Sequence, residues 1–409
     1  MHSAPALTVI TGRILTGTVD VQDGLVAIEA GQIVYAGPEE GYSDHGSAKV
    51  HRLSEGDAIL PGLIDLHCHG GFGADFPAAD EVVNRKAIDS LHRSGTTTLL
   101  ASLVTASKDH LLRAVVSFAS IAAEELIAGI HLEGPFLSSK RCGAQDPQWI
   151  RQPDLGFADE LISAGQGTIR TMTYAPELPG APELVDYLIS RNVLPSLGHT
   201  DADAQTAAAS LRHVHERLTE GDAGGTGTVT HLFNGMPPMH HRSPGPVPAC
   251  LRAAKVGETV LELVADNTHL DPYVVSAVFD LVGARNIALV TDSMAAAGLP
   301  DGTYALGPAR VQVTDGVARL ASTGSIAGGT ATLLEVLRRT IAAGVAPGDA
   351  VRAATATPAR VLGLSDDVGD VRPGMRADLI AVDRDFKLRR AMRRGAWLEP
   401  LPATKASSA

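Results

Sequence analysis

Two histidines separated by one residue, in Asp65-Leu66-His67-Cys68-His69-Gly70, close a short apolar run over 62–66. Side chains two apart on an extended strand point to the same side. His67 and His69 can therefore present both imidazoles to one metal ion, while Cys68 points the opposite way. Four more apolar runs end similarly. They deliver His131-Leu132-Glu133-Gly134-Pro135, Gly198-His199-Thr200, Thr230-His231-Leu232-Phe233-Asn234 and Thr291-Asp292-Ser293. Taken singly, each has a plain structural reading: a hydrogen-bonded core histidine, a rim glutamate paired with a cation, an aspartate capping the next turn. Five strand ends that bring imidazole or carboxylate to one rim make a metal centre the stronger reading. The expected ligands are His67, His69, Glu133, His199, His231 and Asp292, with Glu133 able to bridge two ions and Asp292 also in a catalytic role. His131 shares the parity of Glu133 and faces inward as a support for the ligands.

These residues need a scaffold that gathers strand ends. Apolar runs at 62–66, 96–103, 129–132, 168–174, 193–197, 227–230, 260–265 and 287–291 alternate with helical patterns at 81–94, 109–128, 181–191, 202–217 and 271–282. Eight such alternations predict a closed (β/α)8 barrel, although a doubly wound open sheet yields the same pattern. Barrel enzymes carry their chemistry at the C-terminal ends of the strands, where the polar residues fall. A further helix at 330–343 is expected to cover the barrel's end. Loops at 137–153 and 220–227 read as long and mobile, the first as a lid over the site. Short strands near both termini predict a small β-sandwich domain assembled from residues 1–61 and 372–400, with the barrel at 62–371 between them. Residues 401–409, small and polar, are expected to fray.

Bulk properties narrow the partners. The 409 residues carry 34 Lys and Arg against 46 Asp and Glu, a formal charge of −12, which disfavours nucleic acid and anionic membrane surfaces. A small anion can still be held by a few local donors. Three cysteines (Cys68, Cys142 and Cys250) are poor material for a disulfide framework and suggest a reducing compartment. The first residues lack a basic segment followed by an apolar core, and no run of about 18 apolar residues occurs, so the expected location is cytoplasmic.

With those residues in hand, the chain resembles the amidohydrolase superfamily, and within it the family of N-acetylglucosamine-6-phosphate deacetylases. The likeness rests on Pro61-Gly62-Leu63-Ile64-Asp65-Leu66-His67-Cys68-His69-Gly70, His131-Leu132-Glu133-Gly134-Pro135-Phe136, Leu197-Gly198-His199-Thr200, His231-Leu232-Phe233-Asn234-Gly235-Met236-Pro237-Pro238 and Val290-Thr291-Asp292. It spans nearly the whole chain. The resemblance implies a barrel beside a small β-sandwich and hydrolysis of the N-acetyl group of a 6-phosphorylated amino sugar. Glu133, His199 and His231 match the metal site common to that family. His67 and His69 make a second site available, so one or two divalent ions per subunit are implied: zinc first, with iron, manganese or cobalt also suited. No lysine ends strand four (Tyr174-Ala175-Pro176-Glu177) to act as a carboxylated bridge, which leaves that part to Glu133. Asp292 would take a proton from the attacking water and deliver it to the departing amine. Asn234, Gly235 and Arg242 match the family's phosphate contacts, and His269 a histidine at the substrate. The resemblance further implies a homodimer whose phosphate pocket is completed across subunits. One position departs: where the family usually has Gly-x-His, this chain has Gly143-Ala144-Gln145. Gln145 can donate a hydrogen bond to a substrate carbonyl but cannot carry charge. The competing readings are another deacetylase or amidase of the superfamily, acting on N-acetylgalactosamine 6-phosphate or an N-acyl amino acid, and a non-catalytic binding barrel. A dinucleotide-binding fold is disfavoured, because Gly70-Gly71-Phe72-Gly73 lacks the required spacing.

Overall fold

The computed structural model describes residues 7–43, 48–78, 80–220, 225–307 and 309–402. Residues 403–409 of the expected tail, and 221–224 of the expected glycine-rich loop, lie outside it. Eight parallel strands follow one another in strict chain order. They are β1 (Leu63–Cys68), β2 (Thr96–Val104), β3 (Gly129–Glu133), β4 (Ile169–Tyr174), β5 (Leu194–Leu197), β6 (Thr228–Val229), β7 (Val260–Leu263) and β8 (Ile287–Leu289). The seam closes just beyond β8: Asp292 N–H donates to the His67 carbonyl at 2.9 Å, and His69 N–H to the Ser293 carbonyl at 2.8 Å. Sequential order with first meeting last is the (β/α)8 barrel; a doubly wound sheet would reverse its order partway.

The seam depends on a buried carboxylate. Asp65 accepts the Thr291 hydroxyl at 2.6 Å, and its other oxygen faces the backbone N–H groups of His67 and Thr291 at 3.2 and 3.3 Å. Pairing between β1 and β2 also slips between Asp65 and Cys68, a bulge that gives β1 one extra residue. Ile64 and Leu66 thus join Val260, Val264, Ala288 and Val290 in the barrel's lower interior, while His67 and His69 still reach the centre above them. A regular strand could not turn both Leu66 and His67 inward.

Helices α1 (Glu81–Arg93), α2 (Lys108–Ala123), α3 (Leu155–Ala164), α4 (Ala181–Ser190), α5 (Ala204–Glu220), α6 (Val247–Lys255), α7 (Pro272–Val282) and α8 (Leu333–Ala342) surround the strands. Several start on side-chain caps, among them Asp80, Asp154, Asp271 and a Thr332/Glu335 capping box. One expectation is corrected here. The helix predicted at 330–343 is α8, and it packs against α7, β1 and β8 on the outside of the barrel. The N-terminal mouth is closed instead by α10 (Ala356–Val361), which follows α9 (Pro347–Ala354). Ala359, Val361 and Leu362 seal the lower core, the Thr357 hydroxyl donates to the Ala284 carbonyl, and Arg170 reaches the Leu362 carbonyl. Helix α10 is short and its apolar positions follow no clear helical stripe, which hid it in the sequence.

An antiparallel meander between β8 and α8 was also unanticipated: Gly302–Leu306, Ala309–Thr314 and Val317–Leu320. Its second turn is Asp315-Gly316, with φ of 51° and 73°, the left-handed pair that a tight hairpin requires. Leu306, Val311, Val313 and Ala318 pack on Val104, Met294 and Ala296, so the meander stands over the catalytic rim.

Both chain ends share one further sheet, in the order Ala396–Trp397, Leu388–Arg393, Leu379–Val382, Ala58–Pro61, Thr8–Leu15, Asp20–Glu29, Gln32–Pro38. Lys49–Arg52 also pairs with Thr8–Leu15, so the sheet branches. Ile10, Val26 and Ile28 line one face; Val9, Leu25 and Ala27 line the other. None of the described helices is long and apolar enough to cross a membrane.

His92, near the end of α1, is 4% exposed and its Nε2 finds no partner among the described residues. Burial, reinforced by Arg393, lowers its pKa from 6.5 to about 3. The folded value lies below the unfolded one, so the stabilisation is complete above pH 6.5 and is lost as pH falls toward 3. A shift of that size is worth on the order of 5 kcal/mol. Denaturant unfolding of His92→Gln should therefore show a flatter pH dependence between 6.5 and 4 than the parent; parallel curves would refute it.

Candidate active site

The strand-end residues meet at one carboxylate. Glu133, at the end of β3, is 3% exposed and is met by side chains from β1 and from the ends of β5 and β6. Its Oε1 stands 2.9 Å from Nε2 of both His199 and His231, and its Oε2 lies 3.2 Å from His69 Nε2. His67 Nε2 is 3.6 Å from Oε1 and 2.9 Å from His69 Nε2. Asp292 Oδ1 completes the ring at 3.5 Å from His67 and 3.4 Å from His69. Two overlapping groups result, His67–His69–Glu133 and Glu133–His199–His231, each with its donor atoms within 4.8 Å of one another.

The outer ring nitrogens indicate what the inner ones are for. His69 Nδ1 lies 3.1 Å from the Ser102 carbonyl and His199 Nδ1 2.7 Å from the Arg141 carbonyl. A carbonyl only accepts, so each Nδ1 carries the proton and each Nε2 presents a lone pair inward. His67 Nδ1 likewise faces the Glu262 carboxylate at 3.1 Å. Two lone-pair nitrogens 2.9 Å apart, as in His67 and His69, repel unless a cation or proton lies between them. Imidazole and carboxylate donors at these separations suit a divalent ion such as zinc.

The electrostatics agree. Burial alone would raise Glu133, yet His199, His231 and His69 hold it well below the usual carboxylate range. Asp292 is likewise pulled far down against its burial by His67, His69 and His231. Burial disfavours a charged His69, but Asp292 and Glu133 raise it to about 10. The donor set therefore calls for positive charge at its centre.

Backbone strain aims three of these side chains. His199, His231 and Asp292 have φ of 47°, 27° and 47°, the left-handed region that non-glycine residues avoid at a cost of about 1–3 kcal/mol each. Beneath them runs a belt of buried hydroxyls. Ser102 and Thr173 contact the two nitrogens of His131 at 2.9 and 2.8 Å, and Thr173 continues through Thr230 and Ser196 to Thr228. With both nitrogens engaged and its pKa pushed well down by burial, His131 is a neutral brace beneath His67, 4.5 Å from it ring to ring. Cys68 turns to the helices as its parity predicts, and burial raises its thiol to about 12.

A cavity of about 210 Å³ opens above this cluster. Asn234, Gly235, His269 and Gln145 line it, as do Val104, Leu306 and Ile326 on an apolar wall supplied partly by the meander. Gly235 has φ of 60°, and a Cβ there would come within 2.9 Å of His199 Nδ1, so only glycine fits. His269 Nδ1 bonds Asp266 at 2.8 Å and its Nε2 points toward Asp292 Oδ2 at 3.8 Å. Both ends of the Gln145 amide are engaged: Oε1 accepts the Thr105 N–H at 2.7 Å, and Nε2 donates to Glu133 Oε2. Arg242 is not brought to the cavity of its own chain; it is exposed and bonds His241 at 2.8 Å. Sequence reasoning missed Glu262, Asp266, Ser102 and the meander. Glu262 had a signal, as a lone carboxylate inside the apolar strand Val260-Leu261-Glu262-Leu263.

Comparison with known proteins extends this geometry. The model of the amidohydrolase family matches residues 58–400. The chain is 34% identical over 397 residues to the N-acetylglucosamine-6-phosphate deacetylase of Bacillus subtilis, covering 94% of this chain and 95% of that one. It is 36% identical over 339 residues to the N-acetylgalactosamine-6-phosphate deacetylase of Escherichia coli O157:H7, covering 81% and 85%. Among solved structures, a point mutant of the N-acetyl-D-glucosamine-6-phosphate deacetylase of Mycobacterium smegmatis, in complex with N-acetyl-D-glucosamine-6-phosphate, superposes with a TM-score of 0.87 at 37% identity, covering 97% of this chain and all of that one. The chain belongs to the amidohydrolase family, whose members depend on a metal.

Proposed function

We propose that the chain hydrolyses N-acetyl-D-glucosamine 6-phosphate to D-glucosamine 6-phosphate and acetate. The observation that carries this is the convergence of four inward Nε2 atoms on Glu133, with the Asp292 carboxylate beside His67 and His69, at the floor of a cavity lined by Asn234 and Gly235. His67, His69, Glu133, His199 and His231 would hold one or two divalent ions, with zinc the first choice. When bound, such an ion supplies Lewis acidity, easing deprotonation of water and polarising the amide carbonyl.

The chain's own groups do the rest. Asp292, held as a carboxylate by its histidine neighbours, accepts a proton from the attacking water and returns it to the amide nitrogen as the C–N bond breaks. That return is needed because an amide anion is too basic to leave at neutral pH. His269, whose pKa is raised by Asp266 and Asp292 against its burial, bonds Asp266 and directs its other ring nitrogen toward Asp292 at 3.8 Å, where it would face the substrate. Gln145 steadies Glu133 through its amide. Asn234 and the backbone at Gly235 would face the phosphate, and Arg242 would reach the pocket of a second copy in a homodimer.

A second sugar has a specific argument, the 36% identity to an N-acetylgalactosamine-6-phosphate deacetylase. The deciding experiment is acetate release from both phosphorylated sugars and from unphosphorylated N-acetylglucosamine, with metal content measured on the same sample. Turnover of the phosphorylated glucosamine derivative, abolished by chelation and restored by zinc, is expected. A metal-loaded protein inert to all three would sink the reading. Asp292→Asn should lower kcat by about 10²–10⁴ with KM little changed. Arg242→Ala should raise KM for the phosphorylated sugar about tenfold or more, with kcat nearly constant; an unchanged KM would remove Arg242 from the phosphate site.

A further inference from the structure

Glu262 is the one inward carboxylate of β7, flanked on the same face by Val260 and Val264 in the barrel's apolar interior. It is 2% exposed. A carboxylate so placed is strongly disfavoured unless its oxygens are met by donors. The donors that meet it are both parts of the metal-ligand set. The His67 ring Nδ1–H reaches Oε2 at 3.1 Å, and the His231 backbone N–H points to the same oxygen at 3.3 Å. These two histidines belong to different halves of the cluster: His67 to the pair with His69, His231 to the pair with His199.

We propose that Glu262 is a positioning residue for the metal centre, and that its single oxygen ties the two ion positions together. The contact to Nδ1 fixes the proton there and leaves His67 Nε2 free as a ligand. Without that acceptor the imidazole could turn or move its proton to Nε2, and the ion position at His67 and His69 would lose one of its two imidazoles. The contact to the His231 N–H holds the backbone at the point where φ is 27°, so the same carboxylate also steadies the strained turn that presents His231. His69 and His199 take their proton-fixing contacts from backbone carbonyls, which no substitution removes. His67 alone of these three depends on a side chain.

The inference rests on the metal reading above but not on the sugar. It is tested by zinc titration of chelator-stripped protein without substrate, so failure here and failure of acetate release are told apart. The parent should take up two equivalents. Glu262→Leu keeps the bulk and removes the acceptor. It should leave the tighter equivalent, at Glu133, His199 and His231, within a few-fold of the parent, because only a backbone contact is lost there. The second, at His67, His69 and Glu133, should bind about 10–100-fold more weakly. Glu262→Gln keeps an oxygen acceptor and should recover most of that loss. Cobalt in place of zinc gives an independent readout, since the visible absorption of the second equivalent should be altered in Glu262→Leu and near parental in Glu262→Gln. Three results would overturn the proposal: a folded Glu262→Leu that binds the second equivalent as the parent does, equal loss of both equivalents in both variants, or a parent that binds only one. If Glu262→Leu does not fold, Glu262→Gln decides alone. A second equivalent within a few-fold of the parent, with its cobalt spectrum kept, supports the proposal, and a loss as large as tenfold contradicts it.

Discussion

A carboxylate stripped of water inside a barrel is the constraint around which this molecule is organised. Glu133 cannot be solvated where it stands, so its charge must be met by groups that the fold brings to it. Four imidazoles surround it from β1 and from the ends of β5 and β6, their inner nitrogens placed to share a cation with it. Such an assembly gathers like dipoles in one place and is unfavourable without a cation. It persists because the strands that deliver it are stabilised elsewhere, by the apolar layers beneath and by the helices outside.

The costs at the rim are specific. His199, His231 and Asp292 adopt left-handed backbone geometry at three separate strand ends. A strand that continued regularly would point its next side chain away from the axis, and the turn in φ redirects it. The hydroxyl belt from Ser102 to Thr228 supplies rigidity directly below, where packing alone would leave the polar His131 ring unsatisfied. At the seam, Asp65 holds β1 against Thr291, which places Asp292 beside His67 and His69. Rim, belt and seam form one polar structure inside an apolar barrel.

The meander at Gly302–Leu320 adds what the barrel lacks, an apolar wall on one side of an otherwise polar cavity. Leu306 from the meander, Ile326 just after it and Val104 from β2 face the charged cluster across about 210 Å³. A small neutral acyl group held against such a wall, with its carbonyl toward the cluster, is the kind of substrate part this geometry accommodates. The apolar wall also lowers the local dielectric, which strengthens every charge interaction inside it.

Much of this was legible in the residues. Strand–helix alternation gave eight strands close to their observed bounds, and the parity of His67 with His69, and of His131 with Glu133, correctly turned each pair inward. Asp315-Gly316 marked a hairpin that went unread, although Arg310-Val311-Gln312-Val313-Thr314 alternates polar and apolar residues just before it. The plug at Ala356–Val361 was missed, and α8 was given its place, because a helix of six residues is too short to show a stripe. The sequence by itself determined which residue types end the strands, since local apolar patterning is enough to locate a strand and its last polar residue. Only the tertiary structure decided which oxygen meets which nitrogen: that Glu262 holds His67, that Gln145 is committed to Glu133, and that Arg242 lies away from its own cavity. Those contacts join residues far apart in the chain, and no local propensity encodes a distance across a barrel.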